Sequence, residues 1–413
     1  MVMVKAVRGL RPTKELAAKV ASPPYDVLSA DEARALAADN PISFLYVEKM
    51  EISLPPGADP DGDEAAQAGK KNLQRLIDDG VLVQDDEECI YVYRLTWHGR
   101  QQTGFMLLSA ADDYLKGNIK RHEFTRADKE AGRTRLEETL NAQAGPVFLF
   151  YPSATNLDAL LAEVAAGTPE YDFEADEVRN QFWVVSDGKT IQRIVEGFAK
   201  VDATYIADGH HRCAAAVSVC KNRRFANPNY DGTEPFNHFL TVVFPSDQLR
   251  ILPYNRVVAD LKGMSPNAFI QQVKSRFMVE PETNSKPVES EQEHVIGMYL
   301  DGKWYRIMPL SDSFNKFDPI ERLDAGILSR SLLDPILGIT DPRTDMRIDF
   351  VGGIRGTGEL VKLVDSGKFK VAFSMPPVSM LALKDVADSG GVMPPKSTWF
   401  EPKLRSGLVV YLL

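Results

Sequence analysis

The chain has 413 residues, a net charge of −10 and three cysteines. The length allows two or three domains with complete hydrophobic cores, and the acidic balance disfavours a broad nucleic-acid-binding surface, so any phosphate chemistry needs a local positive pocket. The three cysteines do not have the spacing of metal ligands, and their odd number argues against a disulfide framework. No apolar run has the length of a signal or membrane-spanning helix. We therefore expect a cytoplasmic protein without a disulfide framework or a membrane partner.

The first polar feature along the chain is a proline-fixed turn. Pro23 and Pro24 precede Tyr25 and Asp26. Two prolines restrict the backbone to extended conformations and hold the next two side chains rigidly. This stretch is either a connector or a means of presenting Tyr25 and Asp26 to a substrate, and we count both residues as candidate substrate ligands.

The rest of the N-terminal region predicts ordinary α/β structure. Ser29 and Glu32 have the spacing of a capping box for a helix. Asn40-Pro41 ends that helix, and the apolar run 42–47 predicts a strand.

A second polar island follows. His122 and Glu123 lie just before a highly charged helix predicted over about 127–142, and the apolar run 146–151 predicts a buried strand. A solvated loop explains the island as well as a site does. We keep His122 as a candidate substrate ligand and Glu123 as a candidate catalytic residue.

The central stretch predicts strand, tight turn and helix. Residues 203–207 favour a strand, and residues 212–224 favour a helix that is alanine-rich at first and basic at its end. A helix N-terminus attracts anions through its free N–H groups and its dipole. A capped helix with surface histidines is the alternative, but a cap needs only one aspartate. The candidate residues at this junction are Asp208, Gly209, His210, His211 and Arg212.

A glycine-rich loop lies in the C-terminal third, at 352–358. It leads into a predicted helix with Thr357 as a possible cap. It lacks the Gly-Lys-Ser/Thr ending of a phosphate-binding loop. We interpret it as a turn and a cap.

The tail concentrates prolines, cations and hydroxyls in an otherwise acidic chain. It is either a surface tail with a closing strand at 408–413 or a clamp for a phosphate or carboxylate, because lysines and hydroxyls donate hydrogen bonds to anions. The clamp residues would be Lys396, Ser397, Thr398 and Lys403.

Several of these stretches together resemble the domain-of-unknown-function family 1015, which has no assigned activity. The resemblance extends over nearly the whole chain. The stretches that carry it are 22–27, 40–45, 122–125, 207–212, 252–258 and 393–403.

The stretch Asp208 to Arg212 is also similar to the signature of the free serine kinases in the ParB/sulfiredoxin-like group. That resemblance implies a turn that handles nucleotide phosphates. It also implies that a glutamate acts near the substrate hydroxyl, and Glu123 is the matching residue here.

The leading hypothesis is phosphoryl transfer from ATP or ADP to a small hydroxyl-bearing metabolite, with a serine-like amino acid favoured. Such a reaction needs positioning and charge neutralisation. His210, His211 and Arg212 would bind phosphates, Asp208 would hold Mg²⁺ or the substrate, and Glu123 would orient or deprotonate the acceptor.

Two alternatives remain open. The first is a metal-dependent hydrolase, for which the ligand types are present but helical i, i+4 spacing is not. The metal-ligand types are supplied by His122, Glu123, Asp208, His210 and His211. The second is a nucleotide-binding regulatory module without catalysis.

The fold expectation is α+β. An N-terminal α/β segment covers 1–110, a ParB/sulfiredoxin-like core covers 111–260, and a C-terminal α+β domain covers 261–413 and closes the site. A single cleft would unite the scattered motifs, because binding sites commonly form at domain interfaces. The residues expected to line it are Asp26, Glu123, His210, His211, Arg212 and Lys396.

Overall fold

The computed structural model describes residues 1–283 and 286–413. The strands are β1 (Val4–Lys5), β2 (Leu10–Pro12), β3 (Leu82–Gln84), β4 (Ile90–Trp97), β5 (Arg100–Ala110), β6 (Ile119–Lys120), β7 (Ala142–Gln143), β8 (Val147–Tyr151), β9 (Tyr171–Ala175), β10 (Val178–Val185), β11 (Thr204–Asp208), β12 (His238–Pro245), β13 (Ile251–Leu252), β14 (Tyr254–Val258), β15 (Phe277–Pro281), β16 (Ile296–Leu300), β17 (Lys303–Pro309), β18 (Ile348–Gly352), β19 (Val371–Ser374), β20 (Trp399–Phe400) and β21 (Tyr411–Leu412). The α-helices are α1 (Ala17–Val20), α2 (Ala30–Ala37), α3 (Leu45–Glu48), α4 (Asp63–Asp78), α5 (Ala111–Lys116), α6 (Ala127–Leu140), α7 (Thr155–Ala165), α8 (Gly188–Phe198), α9 (His210–Ala226), α10 (Pro266–Lys274), α11 (Asp324–Leu328), α12 (Gly356–Asp365) and α13 (Met380–Asp388).

The chain forms two compact units. The larger combines Met1–Leu249 with Pro402–Leu413, and the smaller is Arg250–Glu401. The division at residues 110 and 260 stays a prediction. Strands from both sides of residue 110 share one sheet of the larger unit.

A mixed sheet forms the centre of the larger unit. Its strand order is β6-β11-β8-β12-β5-β4-β10-β9, and β1 pairs with β5. Strands β6 and β11 run parallel, as do β8 and β12, whereas the other pairs are antiparallel. The predicted strand at 146–151 is confirmed as β8, and all five of its residues are buried, as its unbroken apolar run requires.

Helices and sheets mix in this way in both units, which confirms the α+β class.

A second core lies among the helices of the larger unit. Phe44, Leu73, Leu136 and Val410 belong to one buried cluster, which joins α3, α4 and α6 to the C-terminal segment. The backbone of Val410 exchanges hydrogen bonds with Leu10, and β21 pairs with β7. The last residues of the chain are therefore part of this core.

The strand predicted at 42–47 is wrong, because these residues form a turn and the helix α3. Phe44, Leu45 and Val47 are fully buried, as expected of an apolar run. Backbone hydrogen bonds form within this helical turn, since the N–H groups of Val47 and Glu48 both donate to the Phe44 carbonyl. The capping box of Ser29 with the residue three positions on is confirmed at the start of α2.

The smaller unit contains an antiparallel sheet of order β15-β17-β16-β19-β14-β18, so β18 is an edge strand. Its core packs α10 and α11 on one face and α12 on the other. Thr357 does not cap α12: its hydroxyl donates to Glu289, and no side chain caps that helix. This part of the sequence prediction is wrong.

Across the described residues, none of the helices combines the length and apolar character needed to cross a bilayer.

Candidate functional site

The candidate site is at the junction between β11 and α9 that the sequence predicts. The register of β11 against β8 shifts between Ile206 and Asp208, and the strand ends at Asp208. Gly209 follows with φ of +86°, a left-handed conformation that glycine adopts without strain. Helix α9 then begins at His210, and its N-cap residue, Gly209, has no side chain with which to cap it. The N-terminus of this 17-residue helix favours an anion through its first-turn N–H groups and its dipole.

Asp208 forms an ion pair with Lys403. The Lys403 Nζ lies 2.9 Å from the Asp208 Oδ2. Burial acts to raise the pKa of Asp208, but Lys403 outweighs burial and holds that pKa below its usual value. Asp208 thus orients a cation beside the start of α9.

Two imidazoles stack edge to face beside this pair. The rings of His122 and His210 have centroids 4.5 Å apart at an angle of 88°. The His210 Nδ1 lies 4.0 Å from a carboxylate oxygen of Glu123, and its Nε2 is buried without a hydrogen-bond partner among the described residues. Burial lowers the pKa of His210 to about 4 and that of His122 well below 6.5. Both rings are therefore neutral at physiological pH.

His211 is fixed by the backbone of the loop that carries Glu123. Its Nε2 accepts a hydrogen bond of 3.0 Å from the Arg126 N–H, which leaves Nδ1 as the protonated nitrogen. Burial lowers the pKa of His211, although Asp26 opposes this shift. The ring is a neutral hydrogen-bonding group within the electrostatic influence of Asp26, whose place in the site stays a prediction.

Arg212 carries the main buried positive charge. Its Nη2 lies 3.4 Å from a carboxylate oxygen of Glu48, and its Nη1 donates to the Pro146 carbonyl at 3.2 Å. Burial acts to lower the pKa of Arg212, but Glu48 and Asp26 outweigh it and raise that pKa above its usual value. The Nε and Nη2 atoms have no hydrogen-bond partner among the described residues, although Nη2 faces the Glu48 carboxylate, and both atoms are buried.

Tyr25 lies between two guanidinium groups. The Arg133 Cζ is 3.9 Å from the centroid of its ring, and the Arg212 Cζ is 5.2 Å away. Burial raises the pKa of Tyr25 to about 12. Lys49 Nζ donates to the Tyr25 carbonyl at 3.0 Å, so the proline-fixed turn is tied directly to the cationic cluster.

Sequence reasoning missed three members of this cluster. Glu48 and Lys49 come directly after the apolar run 42–47 that was predicted as a strand. Arg133 belongs to a helix whose many charges give no apolar stripe, and it is only 7% exposed. A buried arginine must be paired or ligand-bound, but burial is not readable from such a pattern.

The remaining predicted clamp residues lie in the smaller unit. The Lys396 Nζ is 5.4 Å from the ring centroid of Tyr254, and the buried Ser397 donates its hydroxyl to the Pro394 carbonyl at 2.6 Å. Thr398 lies next to them. Their participation in the α9 site stays a prediction, whereas Lys403 lies in the larger unit with Asp208.

The donor set does not fit a resident metal ion. Within the part of the chain that the structure describes, no three His, Cys, Asp or Glu side chains converge as ligands. Asp208 already has Lys403 as its counter-ion. The metal-dependent hydrolase therefore has no supporting ligand cluster, and Mg²⁺ at Asp208 stays a prediction.

Fold and site together define an α+β protein whose larger unit gathers cations and neutral imidazoles at an uncapped helix N-terminus. The chain belongs to the family described as Protein of unknown function (DUF1015), whose sequence model matches residues 4–326. The resemblance to this family is confirmed. No curated protein matches the chain significantly in sequence.

Solved structures that match the chain include free serine kinases in complex with a nucleotide. A free serine kinase in complex with AMP has 13% identity and a TM-score of 0.37, covering 71% of this chain and 86% of its own. A free serine kinase variant in complex with ADP has 12% identity and a TM-score of 0.36, covering 71% and 87%. SbnI with a C-terminal truncation, from Staphylococcus aureus, has 10% identity and a TM-score of 0.38, covering 74% and 87%. Similarity at this level carries no functional weight, so function must be argued from the site.

Proposed function

We propose that the protein is a nucleotide-dependent kinase that phosphorylates a small hydroxyl-bearing metabolite. The observation that carries the proposal is the arrangement at the start of α9. Free helix N–H groups, the unsatisfied donors of Arg212 and the Lys403 cation lie around one strand–helix junction. Such a set of donors suits a polyphosphate.

The cationic charge at this site comes from Arg212 and Lys403. Because burial keeps His210 and His211 neutral, these rings would contact phosphate oxygens as hydrogen-bonding groups. ATP or ADP would supply the phosphoryl group. Loose phosphoryl-transfer transition states depend mainly on positioning and on stabilising charge over the transferred oxygens, which fixed donors can provide.

The acceptor side of the reaction is assigned to Glu123. Its carboxylate is about one-third exposed and lies near His210, so a substrate hydroxyl can approach it. Glu123 would orient or deprotonate that hydroxyl. Tyr25, Asp26 and His122 are proposed to contact the acceptor, and a serine-like amino acid is favoured because Asp208 to Arg212 is similar to the free serine kinase signature.

Turnover separates this proposal from a regulatory module that only binds nucleotide. The test incubates the full-length protein with ATP or ADP, Mg²⁺ and hydroxy-amino acids, and follows new phosphomonoesters by ³¹P NMR. Binding of nucleotide by calorimetry with no phosphomonoester from any hydroxylated acceptor would favour the regulatory module. Absence of nucleotide binding would overturn both assignments.

A further inference from the structure

The smaller unit contains a cavity of its own. It has a volume of about 370 Å³ and lies between the edge strand β18, the start of α12 and Trp399 of β20. All of its lining residues belong to Arg250–Glu401. Small-molecule sites have volumes of about 300–1,000 Å³, so the cavity accommodates a compact ligand.

Aromatic rings form one wall. Tyr254 contacts Trp399 edge to face, with centroids 5.3 Å apart, and contacts Phe350 in the same manner at 6.2 Å. A Cβ on Gly352 would lie 3.0 Å from the Trp399 ring, so the missing side chain lets the indole lie against the strand backbone. Further apolar lining comes from Ile354, Leu363 and Phe369. Such a wall suits a planar ring.

Two cations and two carboxylates line the cavity. The cations are Arg355 and Lys368, and neither forms an ion pair with a carboxylate in the described ranges 1–283 and 286–413. The carboxylates already have partners: Glu359 is 3.8 Å from the Lys362 Nζ, and Asp349 accepts the Phe350 N–H at 2.7 Å. Arg355 and Lys368 are therefore the groups at this rim that can bind an anion.

We infer that this cavity binds a small planar aromatic anion, a ring that carries a phosphate or a carboxylate. The ring lies against Tyr254, Phe350 and Trp399, and the anionic group lies between Arg355 and Lys368. The inference does not depend on the kinase proposal, because it uses only residues of the smaller unit.

The test is calorimetric titration of the full-length protein with phenyl phosphate, and with inorganic phosphate and phenol as its two halves. Phenyl phosphate should bind at least tenfold more tightly than either half. The double variant R355Q/K368Q should weaken phenyl phosphate at least tenfold, whereas K303Q/K370Q, which removes two exposed cations outside the cavity, should stay within twofold of the parent. Parallel titrations with AMP and benzoate separate a nucleotide phosphate from an aryl carboxylate.

A third variant tests whether weaker binding could result from misfolding alone. Ile354 is 49% exposed at the cavity, so Ile354→Trp should fold normally while filling the cavity without changing charge, and should also weaken phenyl phosphate at least tenfold. The inference is overturned if phenyl phosphate binds R355Q/K368Q or Ile354→Trp as tightly as the parent. Equal losses in R355Q/K368Q and K303Q/K370Q would also overturn it, since they would indicate general electrostatic attraction.

Discussion

At the residue scale, the candidate site combines the Glu123 carboxylate with two neutral imidazole rings, those of His122 and His210. Burial keeps His122 and His210 neutral, so the ring nitrogen of His210 that lies 4.0 Å from Glu123 belongs to an uncharged imidazole. Lys403 and Arg212 form ion pairs with Asp208 and Glu48.

The first prediction concerns Glu123→Gln. The amide keeps the shape but cannot accept a proton, so turnover should fall by about 10²–10⁴-fold. Nucleotide affinity should change by less than about twofold, because the proposed phosphate-binding groups do not include Glu123. Steady-state kinetics and calorimetry check the two quantities separately. Glu174→Gln, an exposed change on the edge strand β9, serves as the control and should behave as the parent. Undiminished turnover in Glu123→Gln would remove Glu123 from the mechanism.

The second prediction is a pH dependence of stability from His210. Its pKa is about 4 in the folded protein and about 6.5 when unfolded. Between these values the unfolded state binds more protons, so the stability contribution is complete above about pH 6.5 and is lost as pH falls toward 4. The shift corresponds to about 3 kcal/mol.

Urea unfolding between pH 4 and 7 measures this effect. His210→Asn removes the titrating ring, so its free energy of unfolding should fall less steeply with acid than that of the parent. His98→Asn, in an exposed turn with a φ of 47° that asparagine tolerates, should run parallel to the parent. Parallel curves for His210→Asn and the parent would contradict the assigned pKa.

At the scale of elements, the turn at Gly209 connects β11 to α9. The third prediction is that Gly209→Ala should destabilise the protein by about 1–2 kcal/mol, because a φ of +86° is strained for alanine. The added Cβ itself meets only ordinary contacts, at 3.7 Å from Val147 Cα. Denaturant unfolding checks the stability, and nucleotide affinity should fall too, as relief of the strain would turn the first N–H groups away. Gly188→Ala, with open space and no positive φ, should not destabilise. Equal stability of Gly209→Ala and the parent would show that the turn is not required.

The sequence predicts those elements whose determinants are local. The junction of β11 and α9 is readable because strand propensity, a turn glycine and an alanine-rich helix follow one another within one segment. Helix α3 was not readable, since a short apolar run such as 42–47 fits a buried strand or a buried helical turn equally. Glu48 was missed with it, and Arg133 was missed because α6 shows no apolar stripe to indicate its buried face.

At the scale of the molecule, the sequence does not indicate which distant residues pair with one another. Lys403 was expected in the α9 site as one of four clamp residues of the tail, with Lys396, Ser397 and Thr398. The structure pairs Lys403 with Asp208, nearly two hundred residues away in sequence, within the larger unit, and the role of the other three clamp residues stays a prediction. Nothing in the local pattern of the tail indicates that its end returns to the N-terminal strands, because such pairing depends on contacts between distant residues.

The pair of tail lysines allows a matched test of the predicted shared cleft. Lys403→Gln removes the ion pair with Asp208 and should weaken nucleotide binding by at least tenfold, with a smaller effect on stability. Lys396→Gln should weaken binding comparably if one cleft uses both lysines. Calorimetry on the two variants decides the matter, and an unchanged affinity in Lys396→Gln would restrict the site to Lys403.

The last prediction concerns removal of the C-terminal segment. Deleting roughly the last 20 residues should abolish nucleotide binding and lower the stability of the larger unit. Both effects have a structural cause: the deletion removes Lys403 from Asp208, and it strips Leu408, Val409 and Val410, each at most 1% exposed, from the core. Burying one such side chain stabilises a fold by about 1.5–3 kcal/mol, so the loss should exceed that of any single substitution proposed above. Thermal unfolding with and without nucleotide measures it. Lys403→Gln, which leaves the core intact, separates lost binding from lost folding. A truncated protein that unfolds at the parent's temperature and still binds nucleotide would show that the segment contributes to neither.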